Sequence, residues 1–315
     1  MRIAPEILRR CWFVAGPTAS GKSSAAIELA EPLNAEIVSL DSMALFRGMD
    51  IGTAKPDRAM LARVPHHLVD VADPTDDYSV ADYLAAADSA CRDITSRGKT
   101  PLFVGGTGLY LRTVLHGLFL GPPADWELRR KWADVAASQG DAAVHAALQQ
   151  VDPVTAARLH PRDQRRIIRA LEVHAITGRT LSEQQQESAL PVESRPKNCF
   201  WLNPPRGWLH DRINRRVDEM FAAGLVDEVR LLTTAPGGIS RTASQALGYA
   251  EVRAMLRGKI TGDEARLQTQ THTRQFAKRQ CTWFRGLDEC KAIDLRGGES
   301  AAEIAAILLA VGEGA

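Results

Sequence analysis

Residues 16–23 read GPTASGKS, and their reading decides the fold. Gly16 is followed by four residues (Pro17, Thr18, Ala19, Ser20) and then by Gly21, Lys22 and Ser23. That is the P-loop spacing, in which backbone N–H groups of a tight turn and a helix N-terminus both point at phosphate. The lysine neutralises phosphate oxygens and the serine hydroxyl helps to hold Mg²⁺. Context agrees with spacing: CWFVAG (11–16) is a short apolar run that reads as a buried strand, and Lys22–Glu31 reads as a helix stopped near Pro32.

Outward from the loop, strands and helices alternate. AEIVSLDS (35–42) predicts a second strand that ends in Asp41. The stretch 78–98 predicts a helix, with Ser79 as N-cap and Gly98 at its end. TPLFVGGTG (100–108) is a third strand running into a glycine turn. Such alternation indicates a parallel sheet flanked by helices, with ligands beyond the carboxyl ends of its strands. From residue 125 to about 187 the pattern is helical only, and a proline-rich return, LPVESRPKNCFWLNPPRG (190–207), contains one more strand candidate, NCFWLN. Two helical stretches (208–232 and 262–286), a strand KAIDL and a closing helix follow. The expected architecture is α/β: a P-loop NTPase-like parallel sheet flanked by helices, carrying an all-helical insertion domain. The expected boundaries are 1–120 plus 198–315 for the P-loop catalytic domain and 121–197 for the insertion.

Bulk properties exclude several classes. The 315 residues are 45% hydrophobic and 24% charged, with a formal net charge of +1. No run approaches the roughly 20 apolar residues that span a bilayer, and the N-terminal apolar run is too short for a secretory leader. The five cysteines are scattered and contain no CxxC pair, so neither a disulfide framework nor a zinc knuckle is expected, and a reducing cytoplasm is the expected setting. Two basic stretches stand out of the balanced background: RDQRRIIR (162–169), and 266–285 with five Lys/Arg and no acid. Most such runs are solvated helix faces, but two of them raise the prospect of a polyanionic partner.

The candidate chemistry gathers near the P-loop. The TPLFVGGTG strand lacks the terminal acid that holds metal in ATP-hydrolysing P-loop proteins, which leaves Asp41 as the carboxylate at a neighbouring strand end. Asp41 reads either as a metal-holding or capping residue, or as a general base poised over a nucleophile. Arg212 and Arg216 stand i,i+4 on a predicted helix and form a candidate pyrophosphate clamp, against a plain ion-paired surface helix. His66 and His67 have no further ligands at metal spacing and read as structural. Thr53 and Lys55 lie in a loop within reach of phosphate or RNA.

Taken in order, GPTASGKS, DSMALFRGMDIGTAKP, PHHLVDVADPTDDYSVADY, LFVGGTGLYL, QRRIIRALEV, LGYAE and TRQFAKRQCTWFR resemble the bacterial tRNA dimethylallyltransferases, also called tRNA isopentenyltransferases, from about residue 12 to 287. The resemblance implies transfer of a dimethylallyl group from dimethylallyl diphosphate to the exocyclic amine of the adenosine 3′ of the anticodon, with release of pyrophosphate. It implies a P-loop that holds the prenyl diphosphate with Mg²⁺ at Ser23, a general base at Asp41, Thr107 at the reaction channel, and pyrophosphate contact by Arg212 or Arg216. It places tRNA contacts at Asp41, Ser42, Met43, Ala44, Thr107, Arg129, Gln164, Arg165, Arg166, Ile167, Ile168, Gln245, Arg274, Lys278 and Arg279. Ala44 stands where many members have glutamine and others a hydrophobic residue. A cytoplasmic monomer without membrane association is expected. The alternatives are a P-loop small-molecule or nucleotide kinase, a non-catalytic RNA-binding P-loop protein, and an adenylate isopentenyltransferase, against which the helical insertion and basic segments argue.

Overall fold

The computed structural model describes residues 1–186 and 194–313; residues 190–193 of the proline-rich return lie outside them. The chain divides into two compact units, Arg2–Leu115 with Pro191–Ala315, and His116–Leu190 with Met1. Among the described residues no helix is long and apolar enough to cross a membrane.

The first unit is built on one sheet. Its strands are β1 (Trp12–Ala15), β2 (Ala35–Leu40), β3 (His66–His67), β4 (Thr100–Gly105), β5 (Asn198–Asn203) and β6 (Lys291–Asp294). They run in the order β3-β2-β4-β1-β5-β6 with every neighbouring pair parallel. β1 and β2 are buried at every position, as expected when helices cover both faces and the sequence shows a continuous apolar run. Glu36 breaks that run, yet is only 1% exposed. Its carboxylate accepts from Arg97, from Lys99 Nζ at 2.8 Å and from His67 Nε2 at 2.8 Å. The Arg97 bond, against the cost of burial, holds its pKa well below the usual carboxylate range. The two-residue strand β3 is absent from the sequence-based expectation because it is too short to show a period. Its histidines serve structure: His66 Nδ1 lies 2.8 Å from the Val64 carbonyl and His67 pairs with Glu36.

The helices before the excursion into the second unit are α1 (Pro5–Leu8), α2 (Lys22–Ala30), α3 (Arg58–Arg63), α4 (Val80–Ser96) and α5 (Gly108–His116). The second unit holds α6 (Trp126–Gln139), α7 (Asp141–Val151), α8 (Pro153–Arg158), α9 (Gln164–Thr177) and α10 (Leu181–Gln186). The return supplies α11 (Arg206–Ala222), α12 (Leu225–Thr234), α13 (Tyr249–Leu256), α14 (Gly262–Arg285) and α15 (Ala301–Glu313). α4 opens on a reciprocal cap, with Asp82 N–H donating to Ser79 Oγ and Ser79 N–H to Asp82 Oδ2, two orphan donors satisfied at once. The stretch 208–232, expected as one helix, is two: Gly224 at φ +103° turns the chain where a residue with a Cβ would be strained.

α2 and α15 cover one sheet face, in a core with Trp12, Val14, Leu102, Val104, Phe200 and Leu202. On the opposite face Phe13 stacks on Phe103 at 4.8 Å between centroids, and Trp201 meets Phe284 at 6.1 Å. In the second unit Val144, Leu148, Ile167, Ile168 and Leu171 form a separate core. A fully buried Glu172 stands beside it, gripped by Arg129 (Nε–Oε1 2.8 Å) and Arg169. Burial pushes Glu172 upward, but the two guanidiniums and the Asp125 N–H outweigh it and hold the carboxyl below its ordinary pKa.

Candidate active site

Register brings three strand ends together. Ala15 and Leu40 both lie beside Gly105, so Gly16, Asp41 and Gly106 leave the sheet side by side. A cavity of about 410 Å³ opens there, and its lining includes Lys22, Ser23, Asp41, Thr107, Arg216 and Gln280. Asp41 is the one carboxylate among the described lining residues.

The loop after β1 has the backbone of an anion cradle. Ala19 at φ +63° and Gly21 at φ +92° turn the chain into α2, and the alanine bears a cost of about 1 kcal/mol for that conformation. No side chain caps α2, so its first-turn N–H groups remain available to an anion. Lys22 Nζ donates to the Pro17 carbonyl at 3.3 Å. Burial, then the neighbouring Arg216, lower the Lys22 pKa to about 8, with Asp41 opposing. Burial and Arg212 likewise lower Arg216, again against Asp41. Two cations confined with one carboxylate favour a polyanionic guest, which relieves their repulsion.

Asp41 divides its oxygens. Oδ1 accepts from Met43 N–H at 2.8 Å and Ala44 N–H at 3.3 Å, the capping reading of the sequence. Oδ2 accepts no hydrogen bond among the described residues and is left for a guest. Thr107 braces this turn: its N–H donates to Leu40 O at 2.9 Å, and its Oγ1 accepts from Ser42 N–H at 3.1 Å. Close approach explains the neighbouring glycines. A Cβ at Gly105 would stand 2.4 Å from the Leu40 carbonyl, and one at Gly108 would stand 2.3 Å from the Trp283 indole.

The two arginines of α11 separate. Arg212 lies over the Trp208 ring at 4.6 Å and donates from Nε to the Ala19 carbonyl at 2.9 Å, shaping the phosphate loop from outside. Arg216 reaches the cavity. Lys55 is already engaged, by Phe46 O at 2.6 Å, Asp50 at 2.7 Å and Asp70 at 2.5 Å, and Thr53 donates to Met49 O. The loop that carries them is held by Glu228, which accepts from the N–H groups of Asp50, Ile51 and Gly52 at 2.7–3.0 Å and from Tyr249 OH at 2.6 Å.

The remaining expected contacts fall into distinct groups. Ser42, Met43, Ala44 and Gln245 line the cavity. On α14, Lys278 and Arg279 are exposed, Arg279 beside the Phe276 ring and on the cavity lining, while Arg274 bonds Asn214 Oδ1 at 2.5 Å and Thr271 at 3.0 Å. In the second unit Arg165 and Arg166 are exposed, and Gln164 donates to Asp141 at 2.5 Å. Ile167 and Ile168 are 0% and 8% exposed, so their side chains serve the core and offer no face to RNA. Arg129 is committed to Glu172. The sequence reading missed Glu228, Tyr249 as its partner, and Gln280, whose partners are mostly backbone groups that leave no sequence signal.

Comparison with known proteins matches residues 44–287 to the IPP transferase family model. The tRNA dimethylallyltransferase of Geobacter sulfurreducens is 50% identical over 275 residues, 87% of this chain and 88% of that protein. The solved tRNA isopentenylpyrophosphate transferase of Bacillus halodurans superposes with a TM-score of 0.70 at 38% identity, over 97% of both chains. A eukaryotic dimethylallyltransferase solved acting on tRNA gives a TM-score of 0.72 at 27% identity, over 90% of this chain and 73% of that one.

Proposed function

This chain belongs to the IPP transferase family, and from that premise we propose that it is a tRNA dimethylallyltransferase. In this reading dimethylallyl diphosphate lies in the phosphate loop, and the N6 amine of the adenosine 3′ of the anticodon enters beside Asp41. The amine lone pair forms the new N–C bond at the allylic carbon. The C–O bond breaks, its electron pair leaves with pyrophosphate, and Asp41 Oδ2 takes the N6 proton. Lys22, Arg216 and the first-turn N–H groups of α2 stabilise the charge that develops on the departing pyrophosphate.

A divalent cation fits this arrangement. Among the described residues no group of His, Cys, Asp or Glu forms a metal cluster, but the exposed Ser23 hydroxyl lines the cavity. Mg²⁺ commonly takes one or two protein oxygens beside substrate phosphates and water. Ser23 would hold it, and the ion would neutralise pyrophosphate oxygens.

The observation that carries the proposal is a free carboxylate oxygen of Asp41 in one cavity with Lys22, Arg216 and an uncapped helix start. The enzyme is expected to act as a cytoplasmic monomer, with the exposed cations of α9 and α14 addressing tRNA phosphates. Labelled dimethylallyl diphosphate supplied with Mg²⁺ and either unmodified tRNA or AMP tests the reading. Label in tRNA supports it. Label in AMP alone, or ATP consumption without prenyl transfer, overturns it in favour of the free-nucleotide enzyme or the kinase.

A further inference from the structure

Gln280 is 6% exposed, on α14, and spends both ends of its amide on two different loops. Oε1 accepts from Thr18 N–H at 2.9 Å, and Nε2 donates to the Gly106 carbonyl at 2.8 Å. The first partner is in the phosphate loop. The second precedes Thr107, which is bonded to Ser42 beside Asp41. A Cβ at residue 106 would stand 2.2 Å from Nε2, so Gln280 in this place requires a glycine 174 positions earlier in the sequence.

We infer that Gln280 is a positioning residue which sets the distance between the loop that holds the leaving group and the turn that carries the base. Both partners are backbone groups, so the clip fixes the course of the two loops rather than one rotamer. Thr18 N–H, occupied by Gln280, is withdrawn from the phosphate-binding set, which leaves the guest to Lys22, Arg216 and the first-turn N–H groups of α2. A displacement of about 1 Å between reacting groups costs up to about 100-fold in rate. Glutamine alone of the polar side chains of this length presents a donor and an acceptor at once, apart from a protonated glutamate. An ionised glutamate in its place would keep the bond to Thr18 and oppose the Gly106 carbonyl.

The inference rests on the transferase reading, and the test separates the two. Steady-state transfer is measured for wild type, Gln280→Glu, Gln280→Ala, Gly106→Ala and the double variant Gly106→Ala/Gln280→Ala, with folded fraction taken from thermal unfolding. Gln280→Glu is expected to lower kcat per folded enzyme by about tenfold or more, with KM for tRNA changed less than about twofold. The double variant should lose less than the product of the two single losses, because removing the amide relieves the 2.2 Å clash at residue 106 and leaves only a 3.2 Å approach to the Gly16 carbonyl. A kcat per folded enzyme within about twofold of wild type for Gln280→Glu, or losses at 106 and 280 that simply multiply, overturns the inference. A wild-type protein that transfers no label instead defeats the transferase reading, and the 106/280 coupling read in thermal stability still decides whether the contact exists.

Discussion

Asp41 holds a loop and, in the proposed reaction, also takes the proton. Its Oδ1 organises the Met43 and Ala44 N–H groups, so removing the whole carboxylate confounds structure with chemistry. Asp41→Asn keeps that acceptor and removes the base. Transfer should fall by about 100-fold or more, while tRNA affinity and thermal stability stay near wild type; loss of tRNA binding would make Asp41 structural. Lys22, lowered to about 8 by burial and Arg216, gives a pH prediction. Its charged form would attract a diphosphate, so binding should be strong below pH 8 and weaken as pH rises through it. A bound anion restores the charged form, so binding near pH 8 takes up protons, which calorimetry in buffers of different ionisation enthalpy detects. Uptake should vanish in Lys22→Met. At this scale the phosphate loop and Asp41 were legible because their spacing is local. Arg212 and Arg216 were not separable, since an i,i+4 pair shares a face and only tertiary packing sends one to Ala19 O and the other into the cavity.

At the scale of elements, α9 divides its basic motif between two duties. Ile168 is packed into the core of the second unit, whereas Arg166 is exposed with a 3.5 Å pairing to Asp163. Ile168→Ala should cost about 2–5 kcal/mol of stability in denaturant unfolding, and Arg166→Ala less than about 0.5 kcal/mol. Equal costs would contradict this division. The sequence pattern marked 125 to about 187 as helical, but a run such as QRRII does not say which side faces the core until α6 and α7 are placed. The same limit hid the break at Gly224 inside an apparently continuous helical stretch, and the two-residue β3, whose place at the sheet edge depends on pairing with β2. Glu228 stayed hidden for a different reason: its grip on the 50–52 loop is made to backbone N–H groups 176–178 positions away.

Over the whole molecule a net charge of +1 conceals local basic surfaces on both units. If Lys278 on α14 and Arg166 on α9 each neutralise a tRNA phosphate, each change to alanine should weaken tRNA binding and reduce the slope of log K against log salt by about 0.7–0.9. The KM for dimethylallyl diphosphate should hardly change. An unaltered salt slope in both variants would remove these helices from the RNA surface. In the proposed reaction the phosphate loop grips a leaving group rather than a fuel molecule. The most direct test follows allyl-labelled dimethylallyl diphosphate with Mg²⁺, unmodified tRNA and no ATP, using wild type and Asp41→Asn. Wild type should place stoichiometric label in tRNA with equimolar pyrophosphate, and Asp41→Asn almost none. An absolute requirement for ATP, or equal transfer by Asp41→Asn, would contradict the proposed reaction.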